Sequence, residues 1–390
     1  MGKGLYLLGA LACAFAVAAA ASGSGTPGVT SSTILIGGTT PLSGPASAFS
    51  SVAKGADAYF KYVNDHGGVN GRKVKYKYYD DMYDPSQTVA RTRQLVQQDH
   101  VFAIFNSLGT EQNLAIRSYL NQLGVPHLFV ASGASTWGND YKKYPWTIGY
   151  QPNYVAEATI YGRYIARAKP KARIAVLYQN DDYGKDLLKG LKKGLGAKAR
   201  LVIAKQGYDV TEPDVRSQIA RLKSARANTF MLFATPKFAI QAYSYARQLG
   251  WRPQTFVNAV SAASNIMTLA TLGSSKAQTN GSISIIFLKD PGDRRWARDP
   301  GMVLYKRIMR KYNRGGNQRD IYNVYGMSVA FTMVDALKHA GKKLTRTGIR
   351  NAVIRLNERH DNRQRAGAHL APAGKRGQNL LVQIQRQALT

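Results

Sequence analysis

Among its 390 residues the chain has a single cysteine, Cys13. No intramolecular disulfide and no cysteine-built metal cluster can form from it. The six histidines, His66, His100, His127, His339, His360 and His369, never fall at the HxxxH spacing of a helix-borne zinc site. The phosphate loop GxxxxGK[ST] and the nucleophile elbow GxSxG are also missing. With no nucleophile, base and orienter to assemble, the chain reads as non-enzymatic, without a metal or cofactor. Acidic residues are scarce as well, 22 against 54 lysines and arginines, for a formal net charge of +32. After the N-terminal stretch no apolar run approaches the roughly 18 residues that a membrane span needs.

That N-terminal stretch, MGKGLYLLGALACAFAVAAAASGSG, sets one cation, Lys3, before an apolar run and then small residues. This is the layout of a secretory signal peptide, placed over 1–23 with a Gly/Ser/Thr-rich linker at 24–32. Leu11-Ala12 before Cys13 hints at a lipoprotein site, but the apolar run continues past the cysteine, so removal is expected rather than lipid anchoring. The expected location is outside the cytoplasm, periplasmic or associated with the cell surface.

Short β-branched runs alternate with helical patterns along the rest of the chain. ILIGG (34–38), KVKYKYY (73–79), VFAIF (101–105) and HLFVAS (127–132) alternate with helices, and RIAVLY (173–178), ARLVIAKQ (199–206), TFMLFA (229–234) and TFVNAV (255–260) repeat the design. Such alternation predicts parallel sheets with helices on both faces, here two α/β lobes. SISIIFL (282–288) and the helical stretches near 301–313, 321–340 and 346–356 come too late for a third domain and are expected to return to these lobes.

KVKYKYY interleaves lysines with aromatics, as a nucleic-acid-binding strand does. Yet Lys73, Lys75 and Lys77 point one way and Val74, Tyr76 and Tyr78 the other, which suits a sheet edge with one face wet. Nucleic acid is therefore not expected as a partner. The acidic run YYDDMYDP (78–85) offers Asp80, Asp81 and Asp84 to a cation, but short carboxylates at a strand end, a turn and a helix cap serve local hydrogen bonds. GLKKGLGAKAR (190–200) is glycine-rich, but it lies at a helix end rather than after a strand and reads as a helix stop.

Two loops are chemically more suggestive. NSLGTEQN (106–113) and ASGASTWGN (131–139) each follow a strand at its carboxyl end and are rich in small residues and hydroxyls. Ligands of open α/β sheets bind at that edge. The first loop leads into a helix whose free N–H groups would face the crevice. Ser107, Thr110 and Ser135 are thereby candidates to hold a carboxylate.

The series ILIGGTTPLSGPASAF (34–49), NDHGGVNGR (64–72), the YDD…DP turn, PHLFVASGAS (126–135) and QNDDYGKDLLKGLKKGL (179–195) resembles the leucine/isoleucine/valine-binding family of solute-binding proteins, which serve ABC importers. The resemblance implies the type I periplasmic binding fold: two doubly wound parallel-sheet lobes, joined by a three-segment hinge, that close over a small ligand. Lobe one would comprise 33–148 and 288–355, and lobe two 152–283 with part of 356–390. TIGYQPN (147–153) and SISIIFL would carry the first two crossings. Carried over position by position, the ligand-binding residues fall on Phe49, Ser107, Gly109, Thr110, Ser132, Ala134, Ser135, Tyr183 and Val260.

One departure matters. Amino-acid-binding members place an acid within the stretch that corresponds to FVNAVSAASN (256–265), to pair with the ligand ammonium. Here Val260 takes that position, and no Asp or Glu occurs from 256 to 265. A neutral or anionic solute, such as an aliphatic or aromatic carboxylate, is expected instead. The partners implied are a small-molecule ligand, an amino acid or a carboxylate, and an ABC permease in the membrane, with the protein a monomer. A ligand sensor docking a receptor, and a basic protein binding nucleic acid or another polyanion, are the alternatives.

Overall fold

The computed structural model describes residues 25–365, with side chains up to Leu356. The expected signal peptide with Cys13, and the tail beyond residue 365, lie outside the described residues. The first sheet holds β1 (Thr33–Thr40), β2 (Lys73–Asp80), β3 (Ile104–Phe105), β4 (His127–Val130) and β5 (Thr147–Gly149), in the order β2-β1-β3-β4-β5. The second holds β6 (Ile174–Gln179), β7 (Val202–Tyr208), β8 (Thr229–Phe233) and β9 (Gln254–Val257), in the order β7-β6-β8-β9. Every pairing within them is parallel. This is the two-lobed α/β architecture that the alternating pattern predicts.

β2 occupies an edge, with its lysine and aromatic faces divided as the alternation requires. Tyr76 packs edge-on against Phe60 and Phe105, with ring centroids 5.8 and 5.3 Å apart. The helices begin where capping chemistry allows. Asp84 accepts the N–H groups of Ser86 (2.7 Å) and Gln87 (3.0 Å), with Pro85 at the first helical position. The late helices cover the first lobe: Pro300–Tyr312 and Ile321–Ala340 both pack on Ser51–Asp65. Residues 25–32 are tied to the same lobe, through Leu35 N–H to Gly28 O (2.7 Å) and Thr26 Oγ1 to Leu344 O (2.8 Å).

GLKKGLGAKAR has a second role beyond stopping a helix. Gly190 and Gly194 lie inside the helix Asp182–Leu195, on the face that crosses Tyr154–Ala168. A Cβ on Gly190 would run into the carbonyl oxygen of Val155, one on Gly194 into that of Thr159, and one on Gly162 of the facing helix into that of Leu191. Glycine on both helices lets the backbones touch. Gly196, with φ 56°, then ends the helix.

Within the described residues the chain crosses between the sheets twice, through 149–154 and through 283–290; the third crossing implied near the C-terminus lies beyond the described side chains. In the second crossing Ile283 first extends the second sheet, exchanging backbone hydrogen bonds with Thr255 (3.0 Å) and Val257 (2.9 Å). Leu288 then joins the first lobe's core. Between them the Tyr161 hydroxyl accepts the Ile285 N–H at 3.0 Å and lies 3.0 Å from Glu157 Oε1. The same Glu157 oxygen accepts the Ala259 N–H at 2.7 Å. Burial pushes the Glu157 carboxyl up to about 7, against these two hydrogen bonds, which favour its charged form.

Two outcomes are expected. Gly190→Ala drives a methyl group onto the Val155 carbonyl and lowers stability by about 1–3 kcal/mol, read as a fall in the thermal midpoint. Glu157 holds a proton in the folded chain that the unfolded chain, with its ordinary value near 4.5, gives up. Its contribution is complete below that ordinary value and is lost as pH rises through about 7. The melting temperature of Glu157→Gln should therefore fall less than the wild type's as pH is raised from mildly acidic to mildly alkaline; parallel curves for the two proteins would refute the shift.

Candidate ligand-binding cleft

A cleft of about 820 Å³, part of it open to solvent, lies between the lobes. The first lobe contributes Phe49, Tyr83, Leu108, Gly109, Thr110 and Ala131; the second contributes Tyr154, Tyr183, Thr235, Ala259 and Val260. The crossing segment Ile285–Leu288 forms a third wall, and Tyr322 and Tyr325 close the first-lobe side. The surface is mostly aromatic and aliphatic, with few polar groups.

The first-lobe loops are held rigidly. Asn113 Nδ2 donates to Ser107 O at 2.9 Å and also to Gly109 O, while its Oδ1 meets His127 Nε2 at 2.7 Å. Gly109, at φ 110°, turns the chain into the helix Thr110–Gln122 without a side-chain cap. The N–H groups of that first turn therefore have no helical partner and lie beside the cleft. A side chain at 109 would meet Tyr83 and Gln112, so glycine is required there.

Of the nine sequence-derived candidates, Phe49, Gly109, Thr110, Tyr183 and Val260 line the cleft, and four do not. Ser107 is fully buried below it, its Oγ accepting the Thr39 N–H of β1 at 3.0 Å. Ser132 Oγ lies 2.8 Å from Thr110 Oγ1 and also accepts the Ala134 N–H, so it braces the threonine. Ala134 packs in the second lobe's core beside Trp137. Ser135 is engaged across the lobes: its N–H (2.6 Å) and hydroxyl (3.1 Å) both donate to Asp186. A carboxylate does sit on this loop, but it belongs to the protein.

The second-lobe wall is as closely ordered. With the Asn258 amide turned so that Nδ2 faces the Leu232 carbonyl at 3.0 Å, its Oδ1 accepts the Tyr183 hydroxyl at 2.9 Å. The Tyr183 ring meets Tyr154 edge-on, with centroids 5.0 Å apart. Opposite, Phe49 packs edge-on against Tyr322 at 4.9 Å, and the Tyr322 hydroxyl reaches over the gap to donate to Val260 O at 2.8 Å. The lobes thus meet at this tyrosine, at Ser135–Asp186, and at Glu111, which accepts the Asp182 N–H at 3.1 Å.

One acid borders the cleft, Asp290, from outside the 256–265 window. Its carboxylate accepts Ser264 N–H (3.0 Å), Ser264 Oγ–H (2.9 Å) and Gly292 N–H (2.7 Å), which fastens the start of the helix Ser264–Gly273. The acidic run 78–85 is likewise bound up locally. Asp80 accepts from Leu42, Ser43 and Met82, Asp81 from Tyr83 and Thr88, and Asp84 caps its helix. Burial raises Asp81 to about 6.

Sequence reasoning missed Tyr83, Tyr154, Thr235, Tyr322, Tyr325 and the Ile285–Leu288 wall. Tyr154 and Thr235 carried a usable signal, since each stands at a helix start, and Thr235 lies just past the end of β8. Tyr322 and Tyr325 carried none, because they reach the cleft from a helix nearly 300 residues away in sequence from Phe49.

A family model described as periplasmic binding protein matches residues 33–363. Leu/Ile/Val-binding protein homolog 1 of Brucella abortus (strain 2308) is 30% identical over 206 residues, which is 50% of this chain and 52% of that protein. The chain thus spans about half the length of the curated relatives it matches. Among solved structures, a substrate-binding periplasmic protein from Ralstonia solanacearum has a TM-score of 0.72 at 24% identity, over 82% of this chain and 88% of that one. A fatty acid ABC transporter substrate-binding protein from Thermomonospora curvata has a TM-score of 0.71 at 22% identity, over 84% and 82%. These two likenesses are of fold, and both agree with the paired parallel sheets. With its match from the first strand to the last helix, the chain belongs to the periplasmic binding protein family, whose members bind solutes rather than transform them.

Proposed function

We propose that this protein is an exported solute-binding component of an ABC importer of the branched-chain amino acid type. It takes a small solute with a carboxylate or other polar head and an apolar body, and delivers it to a membrane permease. The observation that carries this reading is the cleft itself: aromatic and aliphatic walls from both lobes around one open helix start. The head meets the first-turn N–H groups after Gly109 and the Thr110 hydroxyl, where the positive end of the helix favours an anion. The body lies between Phe49 and Tyr183, against Val260. Closure is a hinge motion that ends when the ligand bridges the lobes. The cleft is assembled from one chain, which accords with a monomer. Among the described residues no helix is long and apolar enough to cross a membrane.

Val260 sets the solute class. An ammonium enclosed without a partner costs several kcal/mol. The acid at the border, Asp290, already accepts three hydrogen bonds. A carboxylic acid without an α-amine fits these walls better than an amino acid does. One relative is named for leucine, isoleucine and valine and one structural neighbour for fatty acids, so the two solute classes to compare are both represented.

Thermal unfolding against leucine, valine, their deaminated acids, an aromatic carboxylate and an amide tests this reading. A bound solute at about 100 times its dissociation constant adds roughly 2.7 kcal/mol of stability. The carboxylates should raise the melting temperature and the amino acids should not; the reverse result would reassign the ammonium to another group. Val260→Glu should weaken carboxylate binding at least about tenfold through like-charge repulsion, and should bring in α-amino acids. Unchanged titrations would place residue 260 away from the ligand.

A further inference from the structure

The helix Pro300–Tyr312 is sharply two-sided. Met302, Tyr305, Ile308 and Met309 are buried, in a cluster with Ala58 and Met327. The opposite face carries Val303, which is 41% exposed, and exposed Arg307 and Arg310, with Arg314 just past the helix end. The steps of four and three residues keep Val303, Arg307 and Arg310 in one stripe along the helix, and Arg314 lies beyond its end. Arg294 and Arg298, also exposed, flank it on the N-terminal side. Among the described residues none of these five arginines has an ion pair or a ring beneath it. The neighbouring acids are already engaged: Asp293 with Arg295, Asp299 with Lys289, and Asp65 with Lys311.

We propose that this arginine face docks on the anionic headgroups of a phospholipid bilayer. A guanidinium binds a phosphate through paired N–H groups, and a row of exposed ones on long stems suits a broad, deformable anionic surface rather than a shaped pocket. Single-stranded nucleic acid would need rings for bases to stack on. The rings here are engaged within the protein: Tyr305 inside the cluster, the Tyr312 hydroxyl on Asp65 at 2.7 Å, and Trp296 under Lys289 at 5.1 Å. Val303 adds an apolar contact within the stripe, and the net charge of +32 supplies long-range attraction. An importer's binding protein works beside such a surface, and docking there is independent of what the cleft holds.

The test is co-sedimentation of the full chain with vesicles of phosphatidylcholine alone, or of phosphatidylcholine mixed with phosphatidylglycerol, at low and high salt. Arg307→Glu/Arg310→Glu/Arg314→Glu is compared with Lys185→Glu/Lys189→Glu/Lys192→Glu, which has the same net charge but is altered on an exposed face of the second lobe. The wild type should bind the anionic vesicles, release them at high salt, and ignore phosphatidylcholine. The arginine variant should lose about a hundredfold in partitioning, and the lysine variant should retain most of it. Equal losses in the two variants would reduce the effect to bulk charge and overturn the proposal. So would binding to phosphatidylcholine as strong as to the anionic vesicles, or binding to soluble polyglutamate but not to vesicles. Absence of salt-sensitive wild-type binding to the anionic vesicles would overturn the proposal even if a variant folds poorly.

Discussion

The Tyr161 hydroxyl joins parts of the protein that the cleft cannot do without. It accepts the Ile285 N–H of the second crossing segment, and it lies within hydrogen-bond distance of Glu157 and of the Val257 carbonyl at the end of β9. Glu157 in turn holds Ala259. Two walls of the cleft, 259–260 and 285–288, therefore hang on one buried cluster. A crossing segment has no sheet of its own to satisfy its backbone, so a buried N–H within it needs a side-chain partner. Burying a carboxyl to complete that cluster carries a cost, which appears as the raised affinity of Glu157 for its proton.

The same economy of hydrogen bonds shapes the cleft. Hydroxyl-rich loops at the carboxyl ends of β3 and β4 look like a ligand cradle, but most of their polar atoms are occupied within the protein. Ser107 supports β1, Ser132 braces Thr110, and Ser135 binds Asp186 of the other lobe. A buried polar group has to be paired, and the groups nearest in the fold take the pairing first. What is left free is the start of one helix, facing walls of tyrosine, phenylalanine and aliphatic side chains.

The lobe-to-lobe contacts share this logic. Ser135–Asp186, Glu111 with the Asp182 N–H, and Tyr322 with the Val260 carbonyl place polar groups of one lobe on unsatisfied groups of the other. Each flanks the cleft without filling it. The tight glycine crossing of Tyr154–Ala168 with Asp182–Leu195 makes the second lobe's side of these contacts a stiff platform, since backbones in direct contact leave little room to shift.

Local sequence determined much of this protein. Period-two and helical patterns marked nearly every strand and helix, Asp84-Pro85 announced a helix start, and the lysines of KVKYKYY marked a sheet edge, because each of these is set by neighbours a few residues away. Of the five candidates that line the cleft, Thr110 was legible on the same grounds, since it stands in a loop at a strand's carboxyl end; Phe49, Gly109, Tyr183 and Val260 came from the family resemblance. Tertiary structure alone decided the rest. Whether Ser135 meets a ligand or Asp186 depends on a helix fifty residues away; whether Tyr322 reaches Val260 depends on how a late helix packs on Ser51–Asp65. Gly190 reads as a helix breaker until another backbone is laid against it. These outcomes turn on which group first satisfies a buried hydrogen bond or fills a gap, and that is fixed by distances between segments that no local pattern encodes.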